Sequence, residues 1–361
     1  MSGRTTSGRV ASATGTGGWD LDEARRTKAE VAAYVRELAE RQVASSAAGP
    51  RAGVALGLAP QPDGGYGLAV RYRLGVPSAR MVARRVVEQV GPAVDVRRTG
   101  RIRAVAAGGA APPVARPRSV GGPRPPVVSA QAVGETGRVR PLRPGISIAH
   151  VDVSAGTLGA FVTVAGRLHA LSNYHVLVGS PSASVGDAVL QPGPADGGQD
   201  PGDRVGTLAA FVPLVPGTTA LVDAAVAALD DADVDATYPA GPVTTTAPVL
   251  GAEEVEKIGR TTGVTRGRVT AIELDDVVVG YGAELGELSF DDQIEVEGLG
   301  SGPFSRGGDS GSLVYLPDGG AAAAVGLLFA GSESGGENGT GLTYLNPIGA
   351  VLEALEAELV G

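Results

Sequence analysis

The sequence predicts a mainly β protein: two antiparallel six-stranded β-barrels with a C-terminal helix, preceded by a small α+β domain. Glycine and proline are abundant, at 56 and 25 of 361 residues, and helix-like patterning is scarce after residue 100. From residue 146 onward, short apolar runs alternate with Gly, Pro and Asp turns, which is typical of paired barrels. The candidate strands are 146–152, 158–164, 167–171, 184–190, 204–212, 220–228, 254–258, 266–273, 275–280, 293–297, 311–316 and 323–330.

The front of the chain predicts a ββαβ unit. Asp20 and Glu23 form the pattern of an N-terminal cap for a helix that runs to about Ser45. Strands at 53–57 and 66–74 flank a Pro-Asp-Gly-Gly turn, a helix follows from Pro77, and a last strand covers 93–96. No catalytic pattern lies in this unit. We therefore predict that residues 20–104 form a regulatory or assembly domain, through which the protein can form a homo-oligomer.

Composition places the domain boundaries. Residues 1–19 are small, polar and glycine-rich, and we expect them to be disordered. Eight prolines and seven glycines among residues 105–145 predict an extended, semi-rigid linker, which we place at 105–140. The second domain then covers residues 141–361 and ends in a helix from Pro347 to Leu359.

Composition also excludes several classes of protein. The absence of cysteine excludes disulfides, thiolate catalysis and Cys-based zinc sites. No apolar run approaches the ~18 residues of a membrane span, and the first residues lack the apolar core of a signal peptide. We therefore expect a soluble, cytoplasmic protein with no membrane partner.

The net charge of −9 hides a strong asymmetry. Residues 1–145 carry 23 Lys and Arg against 10 Asp and Glu, whereas residues 146–361 carry 7 against 29. Two parts of opposite net charge indicate that they attract each other, that the protein self-assembles, or that the basic part binds an anionic partner. The alternative is that the charges only keep each part in solution. Arginines at 97, 98, 101 and 103 lack interleaved aromatic residues or a recognition motif, so we do not expect nucleic acid as a partner.

Three separated segments carry the residue types of nucleophilic catalysis. Ser310 lies among glycines, which let the backbone turn sharply and point amide groups outward. His175 follows a strand through a short irregular turn, where a base can face a cleft. Asp223 stands inside an apolar strand; it either pairs with an imidazole N–H or faces water from an edge strand. His150 and His169 lie in apolar runs, which favours packed or surface side chains.

These segments resemble the motifs of trypsin-like serine peptidases of the chymotrypsin fold. Leu171-Ser172-Asn173-Tyr174-His175-Val176-Leu177 is similar to the segment around the family's catalytic histidine. Val222-Asp223-Ala224-Ala225-Val226 resembles its aspartate strand, and Gly308-Asp309-Ser310-Gly311-Ser312 resembles its Gly-Asp-Ser-Gly-Gly loop. The order His, Asp, Ser also agrees with this family and differs from that of subtilisins and α/β-hydrolases.

The resemblance implies a serine endopeptidase that acts on a protein or peptide substrate without a cofactor or metal. Ser310 would be the nucleophile, His175 the general base and then acid, and Asp223 the residue that orients His175. The backbone N–H groups of Gly308 and Ser310 would form the oxyanion hole.

The resemblance also implies a substrate pocket formed by two segments, residues 304–307 before the nucleophile and residues 329–331 after it. Neither segment contains a carboxylate that could bind a basic side chain, and Phe304 occupies the position of the pocket floor. We therefore expect a small or apolar residue before the scissile bond. The pocket would be lined by Phe304, Ser305, Arg306, Gly307, Phe329, Ala330 and Gly331.

Further matches narrow the resemblance to a cysteine-free bacterial branch. Lys257-Ile258-Gly259-Arg260-Thr261-Thr262-Gly263 and Leu327-Leu328-Phe329-Ala330-Gly331 look like segments of bacterial relatives of the plant narrow-leaf trypsin-like proteins. The chain departs from the DegP-like branch, because too few residues follow Ser310 for a PDZ domain.

The residue before the nucleophile raises the question of activation. In secreted relatives, the residue at the position of Asp309 pairs with a new N-terminus after cleavage. Here Arg143 is followed by Pro144, and Ile146 lacks the family's activation sequence. We predict that other groups support the loop, and that the enzyme is either active as made or switched by its front domain.

Two other interpretations remain open at this stage. Asp231, Asp233 and Asp235 alternate like the start of a calcium loop, but Ala236 stands where the sharp turn needs glycine, so a solvated acidic loop is favoured. The chain could also be a catalytically silent descendant of a peptidase, a scaffold whose cleft holds a peptide.

Overall fold

The computed structural model describes residues 18–43, 53–62, 64–104, 133–317 and 322–361. Most of the segment expected to be disordered and most of the predicted linker lie outside these residues. The predicted ββαβ unit is confirmed element by element, and the Asp20 carboxylate caps the first helix by accepting the Glu23 N–H at 2.8 Å. Its elements are α1 (Leu21–Val43), β1 (Val54–Pro60), β2 (Tyr66–Arg73), α2 (Pro77–Val90) and β3 (Val94–Thr99), followed by β4 (Ile102–Ala104).

The first half of the second domain is an open, curved sheet that forms a half-barrel. Its strands pair in the order β7-β8-β12-β10-β9-β5-β6. In chain order, the elements of this part of the domain are β5 (Ser147–His150), β6 (Gly156–Thr157), β7 (Ala160–Val164), β8 (Arg167–Ser172), the helical turn α3 (Tyr174–Leu177), β9 (Ala188–Leu190), β10 (Arg204–Phe211), β11 (Thr219–Ala220) and β12 (Ala225–Leu229). β11 lies outside this sheet and pairs with the second half.

The second half contains a closed six-stranded barrel. The pairings run β15-β16-β19-β22-β21-β20 and return to β15. The elements are β13 (Thr237–Tyr238), β14 (Gly241–Thr246), β15 (Glu254–Gly259), β16 (Gly263–Asp275), β17 (Val277–Gly280), the turn α4 (Gly282–Leu285), β18 (Glu287–Phe290), β19 (Gln293–Gly298), β20 (Leu313–Leu316), β21 (Ala322–Ser332) and β22 (Thr343–Pro347). β17 and β18 form a hairpin that stands outside the ring.

The mainly β, chymotrypsin-like fold class is thus confirmed, with two differences in detail. One closed barrel and a half-barrel replace two closed barrels. The C-terminal helix is shorter than predicted: α5 covers Ile348–Ala354, and a last strand, β23 (Ala357–Val360), pairs antiparallel with β7. The helical spacing of Leu355 and Leu359 concealed this strand, because Glu356 adopts a left-handed backbone (φ 50°) that ends the helix.

The front unit shares a sheet with the closed barrel. β1 pairs antiparallel with β16, so the front sheet continues the sheet of the second half. The basic front part of the chain (residues 1–145) and its acidic remainder (residues 146–361) form ion pairs at this junction: Arg25 pairs with Glu273, Lys28 with Asp275, Arg71 with Glu295, and Arg97 with Glu297. Mutual attraction of the halves therefore accounts for part of the charge asymmetry.

Among the described residues, no helix has both the length and the apolar character needed to cross a membrane.

Candidate active site

Strand pairing brings the candidate base and its orienting carboxylate together. β8 pairs antiparallel with β12, with Ser172 opposite Ala225. His175 follows the end of β8 in α3, and Asp223 lies two residues before β12. His175 Nδ1 is 2.5 Å from Asp223 Oδ2. The Asp223 side chain is fully buried, so the prediction of a buried carboxylate facing an imidazole is confirmed, and the alternative of a solvent-facing edge residue is wrong.

Several donors compensate for burying the Asp223 charge. The backbone N–H of His175 donates to Oδ1 at 3.3 Å, and the Tyr281 hydroxyl donates to Oδ2 at 2.6 Å. Behind it, the Asn346 side chain accepts the Asp223 N–H at 2.9 Å, and Asn173 donates to the Asp223 carbonyl at 2.8 Å. A buried carboxylate is stable only when its lone pairs are satisfied in this way.

This arrangement sets the tautomer of His175. A carboxylate only accepts hydrogen bonds, so Nδ1 carries the proton that faces Asp223. The other ring nitrogen, Nε2, is then a bare acceptor. It is buried and has no hydrogen-bond partner among the described residues. A buried, unpaired imidazole nitrogen costs free energy in a stable fold and is typical of a site where a proton is transferred.

Ser310 lies in the glycine-rich loop before β20. The Thr157 N–H donates to the Ser310 carbonyl at 2.8 Å, which ties this loop to the half-barrel. Ser310 Oγ points to the Phe329 carbonyl at 3.5 Å, and the residue is 0 % exposed. Oγ and His175 Nε2 are not hydrogen-bonded to each other. Such contacts are often long in the absence of substrate and form only in its complex.

The same loop presents two free amide groups. Within the described parts of the chain, no acceptor is bonded to the N–H of Gly308 or of Ser310. Gly308 has a φ of 98°, which favours glycine, and an added Cβ would lie 2.3 Å from Thr261 Oγ1. Glycine is therefore required here both by the backbone conformation and by the space available.

A buried ion pair supports the loop from inside. Asp309 is fully buried and accepts the N–H groups of Thr261 (2.9 Å), Thr262 (3.1 Å) and Arg306 (2.8 Å). Lys257 Nζ, also fully buried, lies 3.4 Å from Asp309 Oδ2. Burial lowers the pKa of Lys257, and the charge of Asp309 opposes that shift. This agrees with the prediction that groups other than a new N-terminus support the loop.

Arg260 connects this loop to the half-barrel. Its guanidinium binds both carboxylate oxygens of Asp196, through Nε at 2.7 Å and through Nη2. Ser147 donates to the same carboxylate at 2.6 Å. A bidentate Arg–Asp pair fixes orientation as well as distance. The pair therefore holds the two halves of the domain in register next to Ser310.

The predicted pocket residues are split between core and surface. Phe304 is buried in the core that contains Val296 and Leu345, and Phe329 and Ala330 are buried in a second core. Ser305 is hydrogen-bonded to Thr343 at 2.7 Å, Arg306 is exposed, and the Gly307 carbonyl accepts the Thr261 hydroxyl at 2.7 Å. Gly331 is partly buried and pairs with Arg103 of β4. The role of these residues in a pocket stays a prediction.

Sequence reasoning missed Tyr281. It follows β17, donates its hydroxyl to Asp223, and packs edge-on against the His175 ring at a centroid distance of 5.9 Å. Burial, followed by the charge of Asp223, raises the pKa of Tyr281 well above its usual value of 10.0. The available signal was an aromatic residue between two glycines at the end of an apolar strand, Val279-Gly280-Tyr281-Gly282.

The other candidate residues have structural contacts. His150 bonds Asp187 at 3.2 Å and the Asp152 N–H at 3.1 Å, and His169 contacts the Arg167 carbonyl at 2.8 Å, which confirms the packed interpretation of both. Two of the three alternating aspartates, at 231 and 235, accept backbone N–H groups of their own turns. Among the described residues, no group of three acidic, His or Cys side chains could hold a metal ion.

The chain was compared with protein families, curated proteins and solved structures. No protein family matches the sequence. No curated protein matches it. Among solved structures, a protease from Thermobifida fusca is 20% identical (TM-score 0.42), covering 61% of this chain and 98% of its own. A Nocardiopsis protease is 19% identical (TM-score 0.42; 61% and 99%), and a glutamic acid-specific serine protease is 22% identical (TM-score 0.41; 61% and 100%). At this low identity, the chain is similar in fold to bacterial chymotrypsin-fold serine proteases.

Proposed function

We propose that the protein is a serine endopeptidase that hydrolyses peptide bonds through an acyl-enzyme. One observation carries this proposal: a buried His175 holds its Nδ1–H on Asp223 and leaves Nε2 bare and unpartnered. His150, by contrast, uses both of its ring nitrogens in hydrogen bonds. A bare, oriented nitrogen is the arrangement that a general base requires.

In the first step, Ser310 Oγ attacks the carbonyl carbon of the scissile peptide bond. This step requires the Ser310 side chain to rotate away from the Phe329 carbonyl until its O–H reaches His175 Nε2, which takes the proton. The imidazolium that forms is stabilised by the Asp223 carboxylate, to which Nδ1 donates. Tyr281 and the His175 amide keep that carboxylate in place.

The carbonyl oxygen of the substrate becomes an oxyanion as the new C–O bond forms. The free N–H groups of Gly308 and Ser310 are the donors available to it. One such donor is worth about 2.7–4 kcal/mol in the transition state. Nε2 then protonates the leaving amine, and the C–N bond breaks to leave an acyl-enzyme. In the second step, water attacks the acyl carbon and gives its proton to Nε2. Nε2 returns a proton to Ser310 Oγ as the C–O bond breaks and the carboxylic acid leaves.

The segments beside the nucleophile support a preference for a small or apolar residue before the scissile bond. Neither Phe304 to Gly307 nor Phe329 to Gly331 contains a carboxylate that would bind a basic side chain. A panel of peptides that differ only at this residue measures the preference. A panel cleaved best after Lys or Arg would contradict it.

Labelling with a fluorophosphonate tests the proposed chemistry, because the probe reacts only with an activated serine. We expect the full chain to be labelled, and Ser310→Ala and His175→Ala to lose the label and at least about 10³-fold of peptide hydrolysis. Ser182→Ala, at an exposed serine, is the matched control and should keep both. Label that persists in Ser310→Ala would contradict the proposal.

A catalytically silent scaffold is the second candidate. It is favoured by the full burial of Ser310 and by the missing hydrogen bond between its Oγ and His175 Nε2. A scaffold would bind peptides with no label and no hydrolysis in any variant, so the same labelling experiment separates the two.

A further inference from the structure

A strand of the front unit lies on the sheet edge next to the candidate nucleophile. β4 pairs antiparallel with the end of β21, with Ala104 opposite Ala330, Arg103 opposite Gly331, and Ile102 opposite Ser332. The residue before Ala330 is Phe329, whose carbonyl faces Ser310 Oγ at 3.5 Å. β4 therefore runs along the stretch of backbone that leads directly to Ser310.

The opposite edge of β4 is also paired. Arg103 lies in parallel register with Gly280 of β17, one residue before Tyr281, which donates to Asp223. Ile102 and Ala104 pack against the core that holds Phe329 and Ala330. β4 thus fills the gap between the β17–β18 hairpin and the barrel, with neighbours on both sides.

An extended peptide binds a sheet by adding a strand to a free edge, where its backbone groups find partners. Resting on the function proposed above, a substrate places its scissile carbonyl at Ser310 Oγ, next to the Phe329 carbonyl, and residues 330–332 are the sheet edge that continues from that point. That edge is already used by β4. A tethered strand competes at an effective concentration of about millimolar, well above that of most substrates.

We infer that residues 102–104 are a built-in occupant of the peptide-binding edge formed by residues 330–332, and that a peptide binds only when β4 leaves. The front unit itself need not leave. It is anchored separately by the β1–β16 pairing and by the buried Arg71–Glu295 ion pair. By contrast, β4 is three residues long, and the Arg101–Glu287 ion pair beside it, at 3.4 Å, is exposed. Regulation then consists of releasing one short strand.

An engineered disulfide tests whether β4 must leave. The chain has no cysteine, so Ala104→Cys/Ala330→Cys creates the only pair, across two residues that face each other and the same core. We expect the oxidised double variant to hydrolyse casein at least about tenfold more slowly than its own reduced form, since a locked edge admits no peptide. The single-cysteine variants should not respond to reductant. Measurable and equal rates of casein hydrolysis in the oxidised and reduced double variant would overturn the inference.

Proline at the middle of β4 tests the opposite change. Arg103→Pro removes a backbone N–H and disfavours the strand, whereas the matched control Arg103→Ala keeps the pairing. In full-length protein, we expect Arg103→Pro to bind a fluorescent hexapeptide with the sequence of residues 99–104 at least about fivefold more tightly than Arg103→Ala, and to show a higher kcat/KM on casein. Equal affinity in the two variants would overturn the inference.

Peptide binding tests whether β4 blocks the edge formed by residues 330–332, whereas hydrolysis and fluorophosphonate labelling test the proposed peptidase activity. Peptide binding that increases in Arg103→Pro without any hydrolysis or fluorophosphonate label would support the occlusion and contradict the proposed peptidase. Hydrolysis that is present but identical in Arg103→Pro, Arg103→Ala and both redox states would support the peptidase and contradict the occlusion.

Discussion

At the scale of single residues, the candidate site depends on how the charge of Asp223 is held. Its fully buried carboxylate has three donors close by: the His175 ring, the His175 amide and the Tyr281 hydroxyl. The first two belong to a segment that the sequence identifies, while the third comes from a hairpin that stands outside the barrel. In the proposed mechanism, Tyr281 is therefore a positioning residue that acts through Asp223 rather than on substrate.

Replacing Tyr281 by phenylalanine removes one hydrogen bond to a charged group and keeps the ring. Such a bond contributes about 1.5–3 kcal/mol, so we expect kcat to fall by about 10- to 100-fold. KM should change little, because the hydroxyl donates to the carboxylate that holds His175 Nδ1, whereas the proposed chemistry takes place at Nε2. Steady-state kinetics on one peptide measures both constants. An unchanged kcat would show that the two donors from His175 suffice.

The pH dependence of stability gives an independent test of the same hydroxyl. The folded state raises the pKa of Tyr281 above its usual value of 10.0, so between those two values the folded chain keeps a proton that the unfolded chain has lost. The stabilisation is then fully present below pH 10.0 and is lost as the pH rises toward the folded pKa. We expect the difference in unfolding free energy between wild type and Tyr281→Phe to be constant up to about pH 9 and to shrink above pH 10. Urea titrations across this range measure it, and a difference that grows with pH would contradict the assignment.

At the scale of elements, the loop between β19 and β20 depends on glycines with positive φ, and Gly308 is the one that carries a candidate oxyanion donor. Gly308→Ala would place a methyl group 2.3 Å from Thr261 Oγ1 at a φ of 98°, so the loop must shift and carry its N–H groups with it. Loss of an oxyanion donor costs about 10²–10³-fold in kcat, and we expect an effect of that size. Gly302→Ala is the matched control, because its Cβ would meet no atom within 4 Å and its φ is not positive. Equal kcat in the two variants would exclude Gly308 from the oxyanion site.

At the scale of the whole molecule, the front unit and the barrel form one continuous sheet with an ion pair buried at the junction. Arg71 is 2 % exposed, and its Nε lies 2.8–2.9 Å from both oxygens of Glu295, which is fully buried. The same guanidinium donates to Asp95. Charges of the two halves thus meet away from water, where breaking a pair leaves an uncompensated charge.

Arg71→Met should therefore destabilise the protein by about 3–5 kcal/mol, because it leaves the buried Glu295 without its cationic partner. The matched control is Arg268→Met, which breaks the exposed pair with Glu254 at 3.6 Å and should cost less than about 1 kcal/mol. The double variant Arg71→Met/Glu295→Gln should recover part of the loss. Urea unfolding midpoints report all three, and equal midpoints in the two single variants would contradict a buried junction.

The sequence by itself determined the mainly β class, the ββαβ order of the front unit, and the segments that carry His175, Asp223 and Ser310. These features are local: each depends on period-two alternation, on turn residues, or on a few adjacent side chains. Glycines around Ser310 and an apolar run after it mark the loop and its strand without any partner.

Only the tertiary structure decided which strands meet. The pairing of β4 with β21, the Tyr281–Asp223 bond, the Lys257–Asp309 pair and the replacement of a terminal helix turn by β23 each join residues far apart along the chain. The alternation of apolar and polar residues shows which face of a strand is apolar. It does not show which strand lies beside it, because any sheet edge with free N–H and C=O groups can pair with that strand. The half-barrel follows for the same reason: its strands were visible in the sequence, but whether they close into a ring depends on the elements packed against them.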